Sequence, residues 1–305
     1  MSLNQIFISK ECNRGCNYCL AKHVLKNNQH INFNEFKFYF DNFIANKFNR
    51  INLLGGEPTN HPELKQIIDY ILNFKEDFEI LITTNGLFHQ RLFEKYSNMK
   101  NFKFNFHCAH NEKEFNIIFN NIKLLKEKNA EIALTAVIHD QTDEQEIIKH
   151  IQNIKPNIVM PVISLPTQKK NNEYISEIND KNKYKIKVII EECIKQQIQI
   201  KQHCFSPICM FTIAQKNKLL KNNFIFEKCN NGLFVFPNLD VHICPFLDQK
   251  IGNLKKNSLN DIQEIRNNII KKLDHIMMKK CTSCTLKKRG SCKPCAAHIH
   301  NQLPS

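Results

Sequence analysis

Three cysteines stand close together near the start of the chain. Cys12, Cys16 and Cys19 follow an apolar run with the spacing Cys-x3-Cys-x2-Cys, so a short loop at a strand end can turn them toward one centre. Three thiolates are too few for a closed tetrahedral site, in which four ligands are the rule. They suit a cubane iron–sulfur cluster with one iron open to another ligand, although a partial zinc site or unrelated buried thiols would use the same residues.

The composition is that of a globular protein from a reducing compartment. The chain has 305 residues, of which 42% are hydrophobic and 24% charged, enough for one large domain and a smaller appendage. No apolar run could span a bilayer and the N-terminus lacks a signal-peptide core, so we expect a soluble, cytoplasmic protein without a membrane partner. Thiols stay reduced in the cytosol, and the 13 cysteines are therefore expected to bind metal or react rather than form disulfides.

The net charge of +14 first suggests an acidic partner such as nucleic acid. The chain is rich in Lys, Asn and Ile and has no Trp, which indicates a general compositional bias. Its basic runs are scattered, and solvated faces explain them more simply. Nucleic acid is therefore not an expected partner.

Short apolar runs alternate with longer amphipathic segments over the first half of the chain, as in parallel β/α units. The predicted strands are 6–9, 51–54, 79–83, 102–106, 132–138 and 158–164. The predicted helices are 34–48, 62–74, 87–97, 112–128 and 143–154, followed by a polar loop over 166–182 and a helix over 183–197. This pattern predicts an α/β fold and fits a partial barrel or a doubly wound sheet equally well.

Unusual residues follow the strand ends, where parallel sheets gather their ligands. The cysteine triplet follows the first strand, Gly55-Gly56-Glu57-Pro58 the second and Thr84-Asn85-Gly86 the third. The chain has only seven glycines, so a doublet here indicates a close backbone approach to a ligand, although an ordinary turn remains the alternative. His107, His139 and Asp140 end the next two strands and receive no role.

Together these motifs resemble the radical S-adenosylmethionine (SAM) superfamily, in the cysteine triplet, in Tyr18 before its last cysteine and in the Gly-Gly-Glu-Pro turn. The resemblance implies a partial (β/α)6 barrel, a [4Fe-4S] cluster on the triplet, and SAM bound through its amino and carboxylate groups to the open iron. It also implies that the Gly-Gly-Glu backbone holds the methionine amino group and that Tyr18 lies near the adenine. The SAM-binding residues are predicted to be Tyr18, Gly55, Gly56, Glu57, Pro58 and, although Asn-Gly is also a common turn, Asn85.

A second group of cysteines occupies the last third of the chain. It comprises Cys204, Cys209, Cys229, Cys244, Cys281, Cys284, Cys292 and Cys295. Residues 233–236 and 241–243 predict a β-hairpin between Cys229 and Cys244, and 259–273 predicts a helix. The spacing Cys-x2-Cys-x7-Cys-x2-Cys at the end predicts a metal-binding knuckle. The two isolated cysteines, Cys108 and Cys193, are predicted to be buried structural thiols.

This layout resembles the SPASM extension of radical SAM enzymes and its shorter relative, the twitch domain. We therefore predict a barrel domain over 1–200 and a small cysteine-rich auxiliary cluster domain over 201–305. The resemblance rests on Cys229, Cys244, Gly252-Asn253, Cys281, Cys284, Cys292 and Cys295. Leu239 stands where the family usually has glycine, and the family's last cysteine has no counterpart.

The resemblance leaves the number of auxiliary [4Fe-4S] clusters at one or two. A twitch-like arrangement would bind one cluster with Cys229, Cys244, Cys281 and Cys284. A SPASM-like arrangement would use Cys209 or Cys204 with Cys229, Cys244 and Cys295. A second cluster would then use Cys281, Cys284 and Cys292, completed by the other upstream cysteine, His298, His300 or substrate. A zinc knuckle competes with the second cluster, since four thiolates also suit zinc.

The resemblance implies an enzyme that reductively cleaves SAM to a 5′-deoxyadenosyl radical and oxidatively modifies a peptide or protein. Auxiliary clusters would accept the electron that the substrate radical loses, and an external donor such as flavodoxin or ferredoxin would supply the first electron. The alternative is dehydrogenation of a small molecule such as an amino sugar, and a distant rival is a zinc-knuckle nucleic-acid-binding protein. The chain begins directly at the first strand, so we expect no leader-peptide-binding domain before the barrel.

Overall fold

The computed structural model describes residues 3–19, 25, 28–164, 179–201, 217, 232–245, 249–275 and 285–288. The chain divides into two compact units. The first comprises Met1–Cys16, Ala21–Ile132 and Asn231–Asn268, and the second Asn17–Leu20, Ala133–Asn230 and Ile269–Ser305. The predicted division into 1–200 and 201–305 stays a prediction.

Ten strands are described. They are β1 (Gln5–Ser9), β2 (Arg50–Gly55), β3 (Glu79–Thr84), β4 (Phe102–His107), β5 (Glu131–Ile138), β6 (Ile158–Ile163), β7 (Gln199–Ile200), β8 (Phe234–Val235), β9 (Asp240–His242) and β10 (Lys250–Asn253).

The helices alternate with these strands. They are α1 (Phe33–Tyr39), which continues into a π-helical turn at Phe40–Ile44, α2 (Leu64–Phe74), α3 (Glu112–Glu127), α4 (Glu144–Ile154), α5 (Asp180–Lys195), α6 (Leu259–His275) and α7 (Thr285–Lys288), with 3-10 turns at Pro58–Asn60 and Gln90–Phe93. Among the described residues, no helix is long and apolar enough to cross a membrane.

In the first unit, β1, β2, β3 and β4 are parallel neighbours in chain order. β8 pairs with the other side of β1 in parallel, and β9 and β10 continue from it as an antiparallel ribbon. In the second unit, residues 133–138 of β5 pair in parallel with β6, and β6 with β7. The α/β fold with a mostly parallel sheet is confirmed, while the partial barrel stays a prediction.

Strand burial follows from the apolar runs seen in the sequence. Ile6, Ile8, Ile51 and Leu53 are fully buried, as are the phenylalanines on one face of β4. Phe7, which points to the opposite face of β1, is buried as well, so burial in this strand is not limited to one face. Each of the six predicted strands is confirmed to within one residue at either end.

The predicted helix at 87–97 is wrong, since only Gln90–Phe93 forms a 3-10 turn there. Two side chains from α3 and its C-terminal end satisfy the backbone instead. Asn121 donates from Nδ2 to the carbonyls of Gly86 and Phe88, both at 2.9 Å. The Nζ of Lys128 donates to three further carbonyls, those of Phe93, Glu94 and Tyr96. Carbonyls paired in this way do not need a helix.

Three other boundaries differ from prediction. The helix expected from Pro62 begins at Leu64. The loop expected over 166–182 ends earlier, because Asn179 caps α5 by accepting from the backbone N–H of Asn182 at 2.8 Å. An N-cap side chain that satisfies a free N–H favours a helix start at this position. The helix predicted over 34–48 ends at Ile44, after the π-helical turn. The remaining predicted helices and the β-hairpin are confirmed.

Candidate functional site

The cysteine loop (residues 10–19) follows β1, and its three cysteines are partly exposed. Cys12 and Cys16 belong to the first unit and Cys19 to the second. Burial raises the pKa of the Cys12 thiol, and the nearby charges of Glu57 and Cys16 add to this effect. Hydrogen bonds with the Arg14 backbone and the Asn85 side chain oppose it. Positive charge from a bound metal would shift this balance toward the thiolate.

The glycine doublet at the end of β2 lies directly against the start of the cysteine loop. The backbone N–H of Gly56 donates to the Ser9 carbonyl at 2.9 Å, and that of Glu57 to the Glu11 carbonyl at 2.7 Å. A Cβ on Gly55 would lie 2.7 Å from the Ser9 carbonyl oxygen, and one on Gly56 would clash with the Glu11 carbonyl and approach the Cβ of Cys12 to 2.9 Å. The doublet is therefore required by backbone packing between two strand ends.

Glu57 is fully buried and binds groups of the protein itself. Its Oε1 accepts from the N–H and hydroxyl of Thr59 at 3.1 and 2.7 Å and from the Thr84 hydroxyl at 2.7 Å, while Oε2 accepts from the backbone N–H of Asn85 at 2.6 Å. Burial raises the pKa of this carboxyl, although the four hydrogen bonds oppose the shift. The carboxylate thus joins the ends of β2 and β3.

Asn85 connects the end of β3 to the cysteine loop. Its Nδ2 donates to Oδ1 of Asn13 at 2.7 Å, and its Oδ1 accepts from the Leu87 N–H at 2.9 Å. The next residue, Gly86, has φ of +78°, and a Cβ there would lie 2.7 Å from the Phe106 ring. Glycine is favoured at position 86 because of the left-handed backbone conformation and because a Cβ would be crowded there. These two reasons explain the Asn-Gly pair as a turn.

Arg14 extends from the cysteine loop to the region where β4 ends, a position that the sequence analysis missed. Its side chain is 3% exposed and forms an ion pair with Glu114 in the first turn of α3. Nη2 also donates to the Cys108 carbonyl at 2.9 Å. Nothing in the local sequence around Arg14 indicates these partners, which lie about a hundred residues away.

The predicted structural thiols are buried as expected. Cys193 is fully buried on α5, and Cys108 follows β4. Burial raises the pKa of Cys108 to about 12, even though the Arg14 charge opposes the shift. A thiol with so high a pKa is a poor nucleophile, which agrees with a structural role.

The second unit has its own polar group at the end of β5. The rings of Tyr18 and His139 lie 5.2 Å apart, and the buried Lys185 of α5 donates from Nζ to the carbonyls of His139 and Asp140 at 2.9 and 3.0 Å. Asp140 in turn accepts from Asn182 at 2.8 Å. Burial, with the Lys185 charge, lowers the pKa of His139. The sequence analysis gave Lys185 no role, since a lysine on a helix is usually solvated.

Most of the second cysteine group lies outside the described residues, namely Cys204, Cys209, Cys229, Cys281, Cys284, Cys292 and Cys295. Cys244 is partly exposed after β9. Leu239 has φ of +63° and is fully buried. This left-handed conformation explains why glycine is usual at the corresponding position of the SPASM and twitch extensions.

In the part of the chain that the structure describes, no three His, Cys, Asp or Glu side chains are arranged to hold a metal ion. The donor set nevertheless fits an iron–sulfur cluster, because thiolates are its ligands. The assignments of the cysteines to clusters and of Tyr18, Gly55, Gly56, Glu57, Pro58 and Asn85 to SAM stay predictions.

The chain is similar to known proteins in sequence and in fold. Residues 6–153 match the sequence model of the Radical SAM superfamily. A GTP 3′,8-cyclase of Campylobacter jejuni is 31% identical over 86 residues, 27% of each chain. A GTP 3′,8-cyclase of Aquifex aeolicus is 24% identical over 159 residues, 47% of this chain and 50% of that protein. The chain therefore matches at most half the length of these curated relatives.

Solved structures match over most of the chain. The structure described as native anSMEcpe with bound AdoMet and Kp18Cys peptide has a TM-score of 0.70 at 16% identity, covering 93% of this chain and 86% of that one. SuiB of Streptococcus suis bound to precursor peptide SuiA has a TM-score of 0.67 at 16% identity, covering 94% and 71%. At these identities the likeness shows the fold.

Proposed function

We propose that this chain, whose residues 6–153 match the Radical SAM superfamily model, reductively cleaves SAM and uses the 5′-deoxyadenosyl radical to modify a peptide or protein oxidatively. The superfamily implies a [4Fe-4S] cluster and SAM as its cofactors. The observation that carries the proposal is the direct packing of Gly55-Gly56 against the start of the cysteine loop. It brings the two motifs of the superfamily together at neighbouring strand ends, where α/β proteins bind ligands.

The protein's own residues would prepare this site in three ways. Gly56 leaves room for the backbone turn before Cys12. Asn85 forms a hydrogen bond between the end of β3 and the cysteine loop. The buried carboxylate of Glu57 connects the ends of β2 and β3 through hydrogen bonds. A cluster held by Cys12, Cys16 and Cys19 would supply one electron to bound SAM. The chain's task is then to position and shield the reaction.

The peptide substrate is supported by the names of the structural neighbours. The solved structure of anSMEcpe is described with bound Kp18Cys peptide, and that of SuiB with bound precursor peptide SuiA. Both proteins share the fold of this chain. The eight later cysteines support one or two auxiliary [4Fe-4S] clusters, which would take up the electron released by an oxidation. A flavodoxin or ferredoxin would supply the electron for SAM cleavage.

A nucleotide substrate is the second candidate, because the curated relatives are GTP 3′,8-cyclases. It is weaker, since the longer of these two matches covers 47% of this chain. Dehydrogenation of a small amino sugar, predicted as the alternative, has no described residue in its favour. These substrate classes can be separated in one assay.

The first test is anaerobic purification, followed by reduction with dithionite in the presence of SAM and measurement of 5′-deoxyadenosine. We expect iron, sulfide and 5′-deoxyadenosine in the wild type, and no 5′-deoxyadenosine in a Cys12→Ala/Cys16→Ala/Cys19→Ala variant. About eight residual irons in that variant would support two auxiliary clusters and about four would support one. An iron-replete wild type that makes no 5′-deoxyadenosine contradicts the proposal.

The second test compares peptide and nucleotide substrates. Cysteine- or serine-containing peptides and GTP are each incubated with the reduced enzyme and SAM, and products are detected by mass spectrometry. A mass loss in a peptide, matched by 5′-deoxyadenosine, supports the proposed substrate class. Conversion of GTP without peptide modification would contradict the peptide proposal and support a nucleotide substrate.

A further inference from the structure

His139 is held at the C-terminal end of β5 by hydrogen bonds to its main chain and to its ring. Its backbone N–H donates to the Thr142 hydroxyl at 2.9 Å, and its Nδ1 accepts from the backbone N–H of Gln141 at 3.2 Å. Its carbonyl accepts from Nζ of Lys185 at 2.9 Å. These contacts fix the position of the ring in the protein itself.

The other ring nitrogen of His139, Nε2, remains as a donor. Because Nδ1 accepts a hydrogen bond, the neutral ring carries its proton on Nε2. Burial and the Lys185 charge lower the pKa of His139, and the Asp140 charge opposes the shift. The ring is therefore neutral at pH 7. It is half-buried, no group in the described part of the chain binds Nε2, and Nε2 is not among the enclosed polar atoms that lack a partner.

Tyr18 lies beside this donor and adds an aromatic surface. The ring centroids of Tyr18 and His139 are 5.2 Å apart, and their planes are inclined at 35°. Both side chains are half-buried, and both residues belong to the second unit. Aromatic walls with a single well-placed polar group are typical of sites for flat heterocycles, which pack on the rings and accept a hydrogen bond.

Lys185 indicates that this arrangement is maintained at a cost in free energy. The residue is 3% exposed, and its Nζ donates to the carbonyls of His139 and Asp140. Burying an ammonium group costs free energy, which two neutral carbonyls offset only in part. A costly buried charge that orients a polar side chain at a strand end is typical of a functional site.

We propose that Tyr18 and His139 form a binding site for a purine ring, in which Nε2–H of His139 donates to a ring nitrogen and Lys185 is a positioning residue. The inference rests on the proposed function, because SAM supplies an adenine and the second candidate substrate, GTP, supplies a guanine. A purine nitrogen is a neutral acceptor. An anionic acceptor such as a phosphate is less suitable, since the carboxylate of Asp140 would repel it.

The direct test measures the dissociation constants of SAM and GTP by calorimetry on anaerobically reconstituted protein without reductant. We expect His139→Leu to weaken the binding of at least one of them about fivefold to tenfold, the loss expected for one hydrogen bond. His139→Gln should retain most of the affinity, because its amide nitrogen can donate from the place of Nε2. The matched control is His89→Leu, since His89 is exposed and its Nδ1 also accepts from the N–H two residues later, at 3.2 Å.

The two ligands separate the sources of the purine. Weaker SAM binding in His139→Leu assigns the site to adenine, and weaker binding of GTP alone assigns it to guanine. Unchanged affinity for both ligands overturns the inference, as does an equal loss in His139→Gln and His139→Leu. Iron is measured first. A wild type without iron contradicts the proposed function, and GTP binding then decides the purine site.

A double-mutant cycle tests the positioning role of Lys185. Lys185→Met should weaken binding of the same purine, and combining it with His139→Leu should cause little further loss, because Lys185 acts through His139. Additive losses would show that Lys185 does not act through His139 and would overturn its positioning role. Melting temperatures are compared for every variant, and the His139 variants decide the purine site even where Lys185→Met does not fold.

Discussion

Asn85 at the end of β3 donates its side-chain amide to Oδ1 of Asn13 in the cysteine loop, over a distance of 2.7 Å. The bond joins residues 72 positions apart and lies one residue from Cys12. The same Asn85 side chain accepts from the Leu87 N–H and hydrogen-bonds with the Cys12 thiol. This amide therefore helps to hold the first cysteine of the triplet in place.

Replacing Asn85 by alanine should loosen the cysteine loop without unfolding the protein. The variant loses a partly buried hydrogen bond between the loop and the end of β3, which is worth about 0.5–1.5 kcal/mol. We expect faster loss of iron to a chelator, followed by the visible absorbance of the cluster. Asn42→Ala is the control, because Asn42 is exposed and bonds within its own helical segment. Equal rates of iron loss in Asn85→Ala and wild type would refute the role of this bond.

Gly56→Ala should prevent the cysteine loop from packing against β2. The added methyl group clashes with the Glu11 carbonyl and the Cβ of Cys12, and overpacking of this kind costs about 1–3 kcal/mol. We expect a lower melting temperature and reduced iron content after reconstitution. Gly15→Ala is a matched control in the same loop, since a Cβ there meets no atom within 4 Å. If both variants bind iron equally well, the steric explanation of the doublet is wrong.

Glu57→Gln should destabilise the first unit. The buried carboxylate accepts from four donors, and the NH2 of glutamine must face at least one of them. A buried donor left without an acceptor costs about 1–3 kcal/mol. We expect a lower apparent melting temperature than in Glu76→Gln, where the side chain is exposed. Equal melting temperatures of Glu57→Gln and Glu76→Gln would contradict this explanation.

Leu239→Gly should have two opposing effects on the free energy of unfolding, both from the β8–β9 turn. Relief of the left-handed conformation is worth about 1–2 kcal/mol, whereas loss of a fully buried leucine side chain costs about 2–5 kcal/mol. The second effect is larger, so we expect net destabilisation in thermal unfolding. A glycine variant more stable than the wild type would mean that backbone strain dominates at this position.

His61 should make stability depend on pH. The ring donates from Nε2 to the Ile31 carbonyl at 2.8 Å and accepts at Nδ1 from the Glu63 N–H at 3.0 Å, which is the neutral form. Burial lowers the pKa of His61 from the usual 6.5, and the nearby His30 contributes. The unfolded chain therefore binds the proton at a higher pH than the folded chain.

This difference gives the sign of the effect. Stability from His61 is fully present above pH 6.5 and is lost as pH falls toward the lower folded pKa. Melting temperatures between pH 8 and 5.5 should fall less steeply in His61→Asn than in the wild type. His89→Gln, at an exposed position, should keep the wild-type slope. An unchanged slope in His61→Asn would show that His61 protonation does not limit stability.

Local sequence was sufficient to predict the strands and the motifs at their ends. Hydrophobic periodicity is a local property, so the apolar runs predicted the six strands to within one residue and placed the cysteines and Gly55-Gly56 at strand ends. The helix expected over 87–97 failed because Asn121 and Lys128, distant in sequence, bind the carbonyls of that segment. Local periodicity contains no information about such donors.

The partners of the polar residues at those strand ends follow from the three-dimensional fold. The structure shows that Gly56 accommodates the Glu11 backbone, that Glu57 is enclosed by donors from the segments at the ends of β2 and β3, and that Arg14 reaches Glu114. Each of these contacts joins residues far apart in the chain. Their partners are set by strand order and register, which bring distant side chains to one edge of a sheet, and no spacing along the sequence specifies that.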